Sequence, residues 1–139
     1  MQCSCGASDL FDAAKKGCDD CCRRMSGQAG KTRDDIHFDG LTDQKNRTAL
    51  MVAAFYGKTG CVRILAEKEA KMQDEEKWTA LIHAARNGHH ECVEILAPLE
   101  KGMQNNNGWT GLMYAAWKGH SECVKILAQL EKLMKDKDG

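Results

Sequence analysis

Five of the eight cysteines crowd the start of the chain, as Cys3-x-Cys5 and Cys18-x-x-Cys21-Cys22. Thiolates are soft donors, and pairs at short spacing can turn toward one point. That is how a chain offers zinc its four tetrahedral ligands. Cys3, Cys5, Cys18 and Cys22 are therefore the residues to weigh for metal, and Cys3 and Cys5 also for reversible lipidation. Cys21 has a competing explanation as a small buried residue, given below, and Cys22 shares it in part. The count of free thiols then falls one short of a zinc set, so no metal and no other cofactor is expected. The lipid alternative lacks the basic cluster that a stable anchor needs as a second signal.

The remaining chemistry is thinner. His37, His83, His89, His90 and His120 assemble no Ser/His/Asp or Cys/His set by spacing. Gly27-Gln28-Ala29-Gly30-Lys31-Thr32 reproduces only the end of the phosphate loop Gly-x-x-x-x-Gly-Lys-Ser/Thr, and the residues before it read as helix where that loop needs a strand. These residues predict a protein without catalytic residues and without a small-molecule substrate.

Charge and length narrow the classes further. The 139 residues suit one domain, 1–139, and Lys plus Arg equals Asp plus Glu at 20 each. That balance lacks the positive field of a nucleic-acid binder. No polybasic stretch seeks an anionic bilayer, and no apolar run reaches the roughly 18–20 residues that span one. The N-terminal residues lack the basic start and apolar stretch of a secretory signal. An intracellular, cytoplasmic protein with reduced thiols is expected, with membrane association disfavoured.

Internal repetition supplies the elements. Thr48, Thr79 and Thr110 stand 31 residues apart, and so do Leu50, Leu81 and Leu112. The pairs Ala53-Ala54, Ala84-Ala85 and Ala115-Ala116 keep that step, as do Gly57, Gly88 and Gly119, then Cys61, Cys92 and Cys123, then Leu65, Leu96 and Leu127. Each copy reads as two short helices. Threonine caps the first, the alanines admit a close neighbour, and the glycine ends the helix in the left-handed region. The second begins near Thr59, His90 or Ser121 and carries an apolar stripe, such as Cys92, Val93, Ile95, Leu96 and Leu99. One cysteine per copy on that stripe is a small buried residue, not a redox array. His89 and His120 follow the turn glycine and are expected to bond the turn. Polar stretches such as Gln104-Asn105-Asn106-Asn107-Gly108 read as loops.

A degenerate copy precedes these. Leu10-Phe11-Asp12-Ala13-Ala14-Lys15-Lys16-Gly17 has the spacing of Leu50 to Gly57, and Cys21 has the phase of Cys61. It lies 40 residues upstream instead of 31, so an enlarged polar loop is placed at 26–40. The units are then about 8–40, 41–71, 72–102 and 103–134.

The motif Thr-Ala-Leu-Met/Ile-x-Ala-Ala-x-x-Gly resembles the ankyrin signature, which opens on Thr-Pro-Leu-His and closes on Ala-Ala-x-x-Gly-His. The likeness runs from Leu10 to about Leu130. The proline is replaced by Ala49, Ala80 and Gly111, the histidine by Met51, Ile82 and Met113, and the period is two short of the usual 33. The deficit is assigned to the inter-repeat finger. The resemblance implies an all-α ankyrin-repeat solenoid of stacked helix-turn-helix pairs with short finger loops. It further implies a scaffold or adaptor that binds a protein partner through finger tips and the exposed side of each first helix. On this chain the finger positions are Lys45 and Arg47, Glu76 and Trp78, Asn107 and Trp109. The helix positions are Val52, Phe55 and Tyr56, then His83, Arg86 and Asn87, then Tyr114, Trp117 and Lys118. Phe55, Tyr56 and Trp117 are expected to form an exposed aromatic strip, since such residues are enriched at binding hot spots. Trp78 and Trp109 share one repeat phase and either join that surface or pack over a neighbouring finger.

The last second helix presents Val124, Ile126, Leu127, Leu130, Leu133 and Met134. Weak self-association through this end is expected unless Leu133 and Met134 fold back over it.

Overall fold

The computed structural model describes residues 5–36, 38, 41 and 45–138, with only the helical backbone described over 131–138. Cys3 and His37, and the proposed fold-back of Leu133 and Met134, lie outside what is described. Among the described residues there are eight α-helices and no strand. They are α1 (Leu10–Lys16), α2 (Asp19–Arg24), α3 (Ala49–Phe55), α4 (Thr59–Glu69), α5 (Ala80–Arg86), α6 (His90–Glu100), α7 (Gly111–Lys118) and α8 (Ser121–Asp138). None is long and apolar enough to cross a membrane.

The repeat phase sets the helix ends. Thr48, Thr79 and Thr110 accept the backbone N–H of Met51, Ile82 and Met113 at 3.1, 3.2 and 3.4 Å, and Asp9 does the same for Asp12 at 2.8 Å. Each cap satisfies one of the four donors a helix start leaves open. Gly17, Gly57, Gly88 and Gly119 all have φ between 72° and 78°. The residue after each glycine then donates back to the carbonyl of the first alanine of the pair: Cys18 to Ala13, Lys58 to Ala53, His89 to Ala84 and His120 to Ala115. Three of these glycines are also pressed from outside, Gly17 by the Lys58 side chain and the other two by histidine rings. A Cβ on Gly57 would stand 2.6 Å from the His89 ring, and one on Gly88 2.7 Å from that of His120.

First helices α1, α3, α5 and α7 stack side by side, and α2, α4, α6 and α8 form a second layer behind them. The core runs between the layers as one strip: the alanine pairs, Leu50, Leu65, Leu81, Leu96 and Leu127, and Cys21, Cys61, Cys92 and Cys123, all buried apart from Ala116. Burial raises the Cys92 and Cys123 thiols, the latter to about 11. Cys61 is raised first by its contact with Cys22 and then by burial. These are inert core thiols. Leu99, expected on the buried stripe of α6, is 40% exposed instead.

Two carboxylates that the motif reading passed over close each central repeat. Glu69, at the end of α4, accepts Leu50 N–H at 2.8 Å and Gly30 N–H at 2.9 Å. One repeat on, Glu100 accepts Leu81 N–H at 2.9 Å and Lys71 N–H at 2.8 Å. Each ties a second helix to the start of its own first helix and to the segment entering the repeat. Both are buried, and burial raises both carboxyl groups above their ordinary value.

The inter-repeat finger is a closed turn. Asp74 N–H and Asn105 N–H donate to the carbonyls of Trp78 and Trp109 at 3.1 and 3.0 Å. Their side-chain oxygens accept the N–H groups of Glu76 and Trp78, and of Asn107 and Trp109. Asn46, Lys77 and Gly108, in phase, take the left-handed conformation this turn needs, at φ 67°, 64° and 78°.

Candidate functional site

The fingers and the exposed flank of the first helices build one face, the inner surface of the solenoid. Its aromatic rings form an unbroken ladder. Phe38 stacks on Phe55 at 4.1 Å and meets His83 edge-on at 5.0 Å. His83 stacks on Trp78 at 4.8 Å, and Trp78 touches Tyr114 at the same distance. Tyr114 then meets Trp109 at 4.9 Å, and Trp109 meets Trp117 edge-on at 6.0 Å.

Phe38 comes from the enlarged loop and is fully buried. Arg33 and Arg47 exchange backbone hydrogen bonds at 2.9 and 3.0 Å, which brings that loop back beside the first finger. The Arg33 guanidinium adds ion pairs to Asp9, at 2.9 Å, and to Asp35. The loop thus covers the α3 end of the face, leaving a cleft of about 390 Å³ between α1, the loop and α3. The expected exposure of five residues is overturned, four of them by this loop and Tyr114 by the tryptophans on either side of it. Phe55 is only 8% exposed because Phe38 lies flat against it. Val52 is buried beside the same loop. Arg47, expected at a finger tip, is 1% exposed: its guanidinium lies 4.3 Å over the Phe38 ring and donates to the Ile36 carbonyl at 2.8 Å. His83 is enclosed between Phe38 and Trp78. Tyr114 is held between Trp78 and Trp109, with its hydroxyl accepting from Asn105 at 2.9 Å.

Tyr56, Trp78, Arg86, Asn87 and Trp109 are half-buried. The tryptophans pack against rings of the first helices, His83, Tyr114 and Trp117, and not over a neighbouring finger as the alternative had it. Asn87 donates to the Phe55 carbonyl at 2.9 Å and accepts from Arg86. His89 Nε2 also meets the Phe55 carbonyl at 2.9 Å, and His120 Nε2 meets that of Arg86 at 3.0 Å. A carbonyl only accepts, so both rings carry the proton on Nε2. The expected turn-bonding role of these histidines is observed, reaching across to the preceding repeat.

The α7 end is different. Trp117 is 63% exposed and Met113 44%, and the Lys118 ammonium sits 4.5 Å over the Trp117 ring. Met113 was read only as a departure from a motif. Its place on the free flank of α7 marks it as part of the surface.

His83, beside Asp74, gives the buried part of the ladder a pH response. Asp74 Oδ2 stands 3.7 Å from His83 Nε2 and 3.8 Å from Arg47 Nε. One repeat later the same two positions are Asn105 and Tyr114, a neutral pair. Burial lowers the His83 pKa, Asp74 opposes that shift, and Arg47 and Arg86 reinforce it. A base depressed in the folded state contributes stability that is complete above its unfolded pKa of about 6.5 and is lost as pH falls from there through the folded value. The wild-type urea midpoint is therefore expected to drop more between pH 7.5 and pH 5 than that of His83→Gln. Equal drops would remove His83 from the acid response.

The N-terminal thiols separate into two groups. Cys22 faces the core with its sulfur 2.8 Å from that of Cys61, which takes it out of the metal candidates. Cys21, expected as a core residue, is buried as such and also has its sulfur 3.3 Å from that of Cys5.

A sequence model described as ankyrin repeats, three copies, matches residues 10–102 and, again, 67–138. A search of curated proteins finds no match to this chain.

Proposed function

Since the chain belongs to the ankyrin-repeat family, we propose that it is a non-enzymatic scaffold that holds a protein partner on the α7 end of its inner face. Ankyrin repeats generally mediate protein–protein contact, and the family is typically non-enzymatic. What carries the reading to this end is Trp117, the most exposed large apolar side chain among the described residues, beside exposed Met113. Tryptophan is a preferred hot-spot residue because it buries a large area at little entropic cost. The ladder behind it, Trp109 and Tyr114, holds the ring ready and limits the ordering cost of binding. Lys118 and half-buried Arg86 and Asn87 supply a polar rim.

Trp117→Ala is expected to weaken partner binding by roughly 30-fold, the equivalent of about 2 kcal/mol, with the circular dichroism spectrum unchanged. The measurement is quantitative capture from the source cell, with wild-type and variant baits compared. Leu99→Ala, on the other layer, is the control and should retain the partner. Equal retention by Trp117→Ala and wild type would move the interface elsewhere.

A further inference from the structure

We propose that Cys5, Cys18 and Cys21 form a zinc-binding site that fastens the N-terminal segment to the first helix pair. The three sulfurs lie within 4.8 Å of one another, and those of Cys5 and Cys21 are 3.3 Å apart. Zinc–sulfur bonds of about 2.3 Å in a tetrahedron put the sulfurs about 3.8 Å apart. The three thiols thus already outline one face of such a tetrahedron, and small side-chain rotations complete it.

The ligands come from three local pieces that the fold brings together. Cys5 precedes α1, Cys18 occupies the turn after Gly17, and Cys21 sits in the first turns of α2. The turn is fixed, since Cys18 N–H donates to the Ala13 carbonyl at 3.1 Å and Cys22 N–H to that of Cys18 at 3.0 Å. Lys16 holds the Cys5 end by donating to its carbonyl at 3.1 Å. Cys5 and Cys18 are half-exposed while Cys21 is buried, so an ion has a way in and a closed floor. Lys16 and Arg24, whose guanidinium lies 3.9 Å from the Cys21 sulfur, set positive charge beside the thiolates. Binding forms three zinc–sulfur bonds and releases the thiol protons to solvent. The fourth position goes to water, and the proposal rests on these three thiols.

The site has a structural use. Here α2 has 6 residues where α4 and α6 have 11, so the first repeat has the shortest second helix. A metal that binds only the folded arrangement lends its binding free energy to that repeat.

The test is a cobalt titration of the full chain, stripped of metal and kept under a non-thiol reductant. One equivalent of Co²⁺ is expected to give the near-ultraviolet thiolate charge-transfer band and the visible bands of a tetrahedral site, and Zn²⁺ should displace both. Cys5→Ser and Cys18→Ser should each reduce the signal at least tenfold, with Cys92→Ala unchanged. A chelator should lower the melting temperature of wild type and leave that of Cys18→Ser alone, a readout that does not depend on the spectrum. Absence of the bands, their persistence in both serine variants, or a Cys5–Cys21 disulfide in the reduced preparation would each overturn the proposal.

Discussion

Glu100→Ala is expected to cost about 3 kcal/mol of folding stability, measured by urea unfolding at pH 7, although its side chain touches no surface and no partner. The carboxylate accepts two backbone N–H groups, from Leu81 and Lys71, and is 1% exposed. Alanine strands the buried Leu81 N–H away from water, at roughly 1–3 kcal/mol, and also releases the tie to the Lys71 N–H. The loss has a pH signature. Burial raises the folded pKa of Glu100. An acid raised in this way contributes stability that is complete below its unfolded pKa, near 4.3, and is lost as pH rises through the folded value. The gap between wild type and Glu100→Ala should therefore be widest near pH 4 and narrow toward pH 8. A gap that widened with pH would mean that the charged form is the one the fold favours.

Phe38→Ala should cost a similar amount, about 3–4 kcal/mol, which is large for a residue in a loop. The ring is fully buried against Phe55 and His83 and lies under the Arg47 guanidinium. Its removal leaves a cavity and uncovers His83. The second consequence separates this account from simple loop damage. Water reaching His83 should raise its pKa toward 6.5, visible as a shifted titration of its ring proton by NMR. Phe38→Leu should keep most of the stability and leave the titration depressed. If Phe38→Ala left the His83 titration in place, the loop would not be what seals the α3 end of the face.

The contrast between these residues shows which parts of the molecule the sequence could reveal. Thr48, Thr79 and Thr110, the turn glycines and the core cysteines each recur at one phase. A recurring position carries its structural reason with it, and all of these took the places expected of them. Glu69 and Glu100 recur in the same way, 31 residues apart. The signal was there, but a buried carboxylate is not an expected repeat element. Phe38 has no such signal. It occurs once, inside an insertion, and its destination depends on how the loop pairs Arg33 with Arg47. The burial of Phe55, Val52, Arg47 and His83 follows from that single event and could not be read locally.

The thiols failed differently. Cys21 has the repeat phase of a core residue, and that phase was correct about its burial. It was silent about the other side of the residue, where Cys5 approaches from the segment ahead of α1. Cys22, adjacent in sequence, points to Cys61 instead. Neighbours on a helix face different ways, so spacing alone told that both are buried but not which thiol each one meets.

The proposal to be tested at the inner face is that a protein partner sits at its α7 end. Site-specific photo-crosslinking in the source cell tests it directly, with the crosslinker placed in turn at positions 117, 113 and 99. The account predicts that one protein is captured at 117 and 113, and not at 99. Capture at 99 with none at 117 or 113 would contradict it and place the working surface on the layer of second helices.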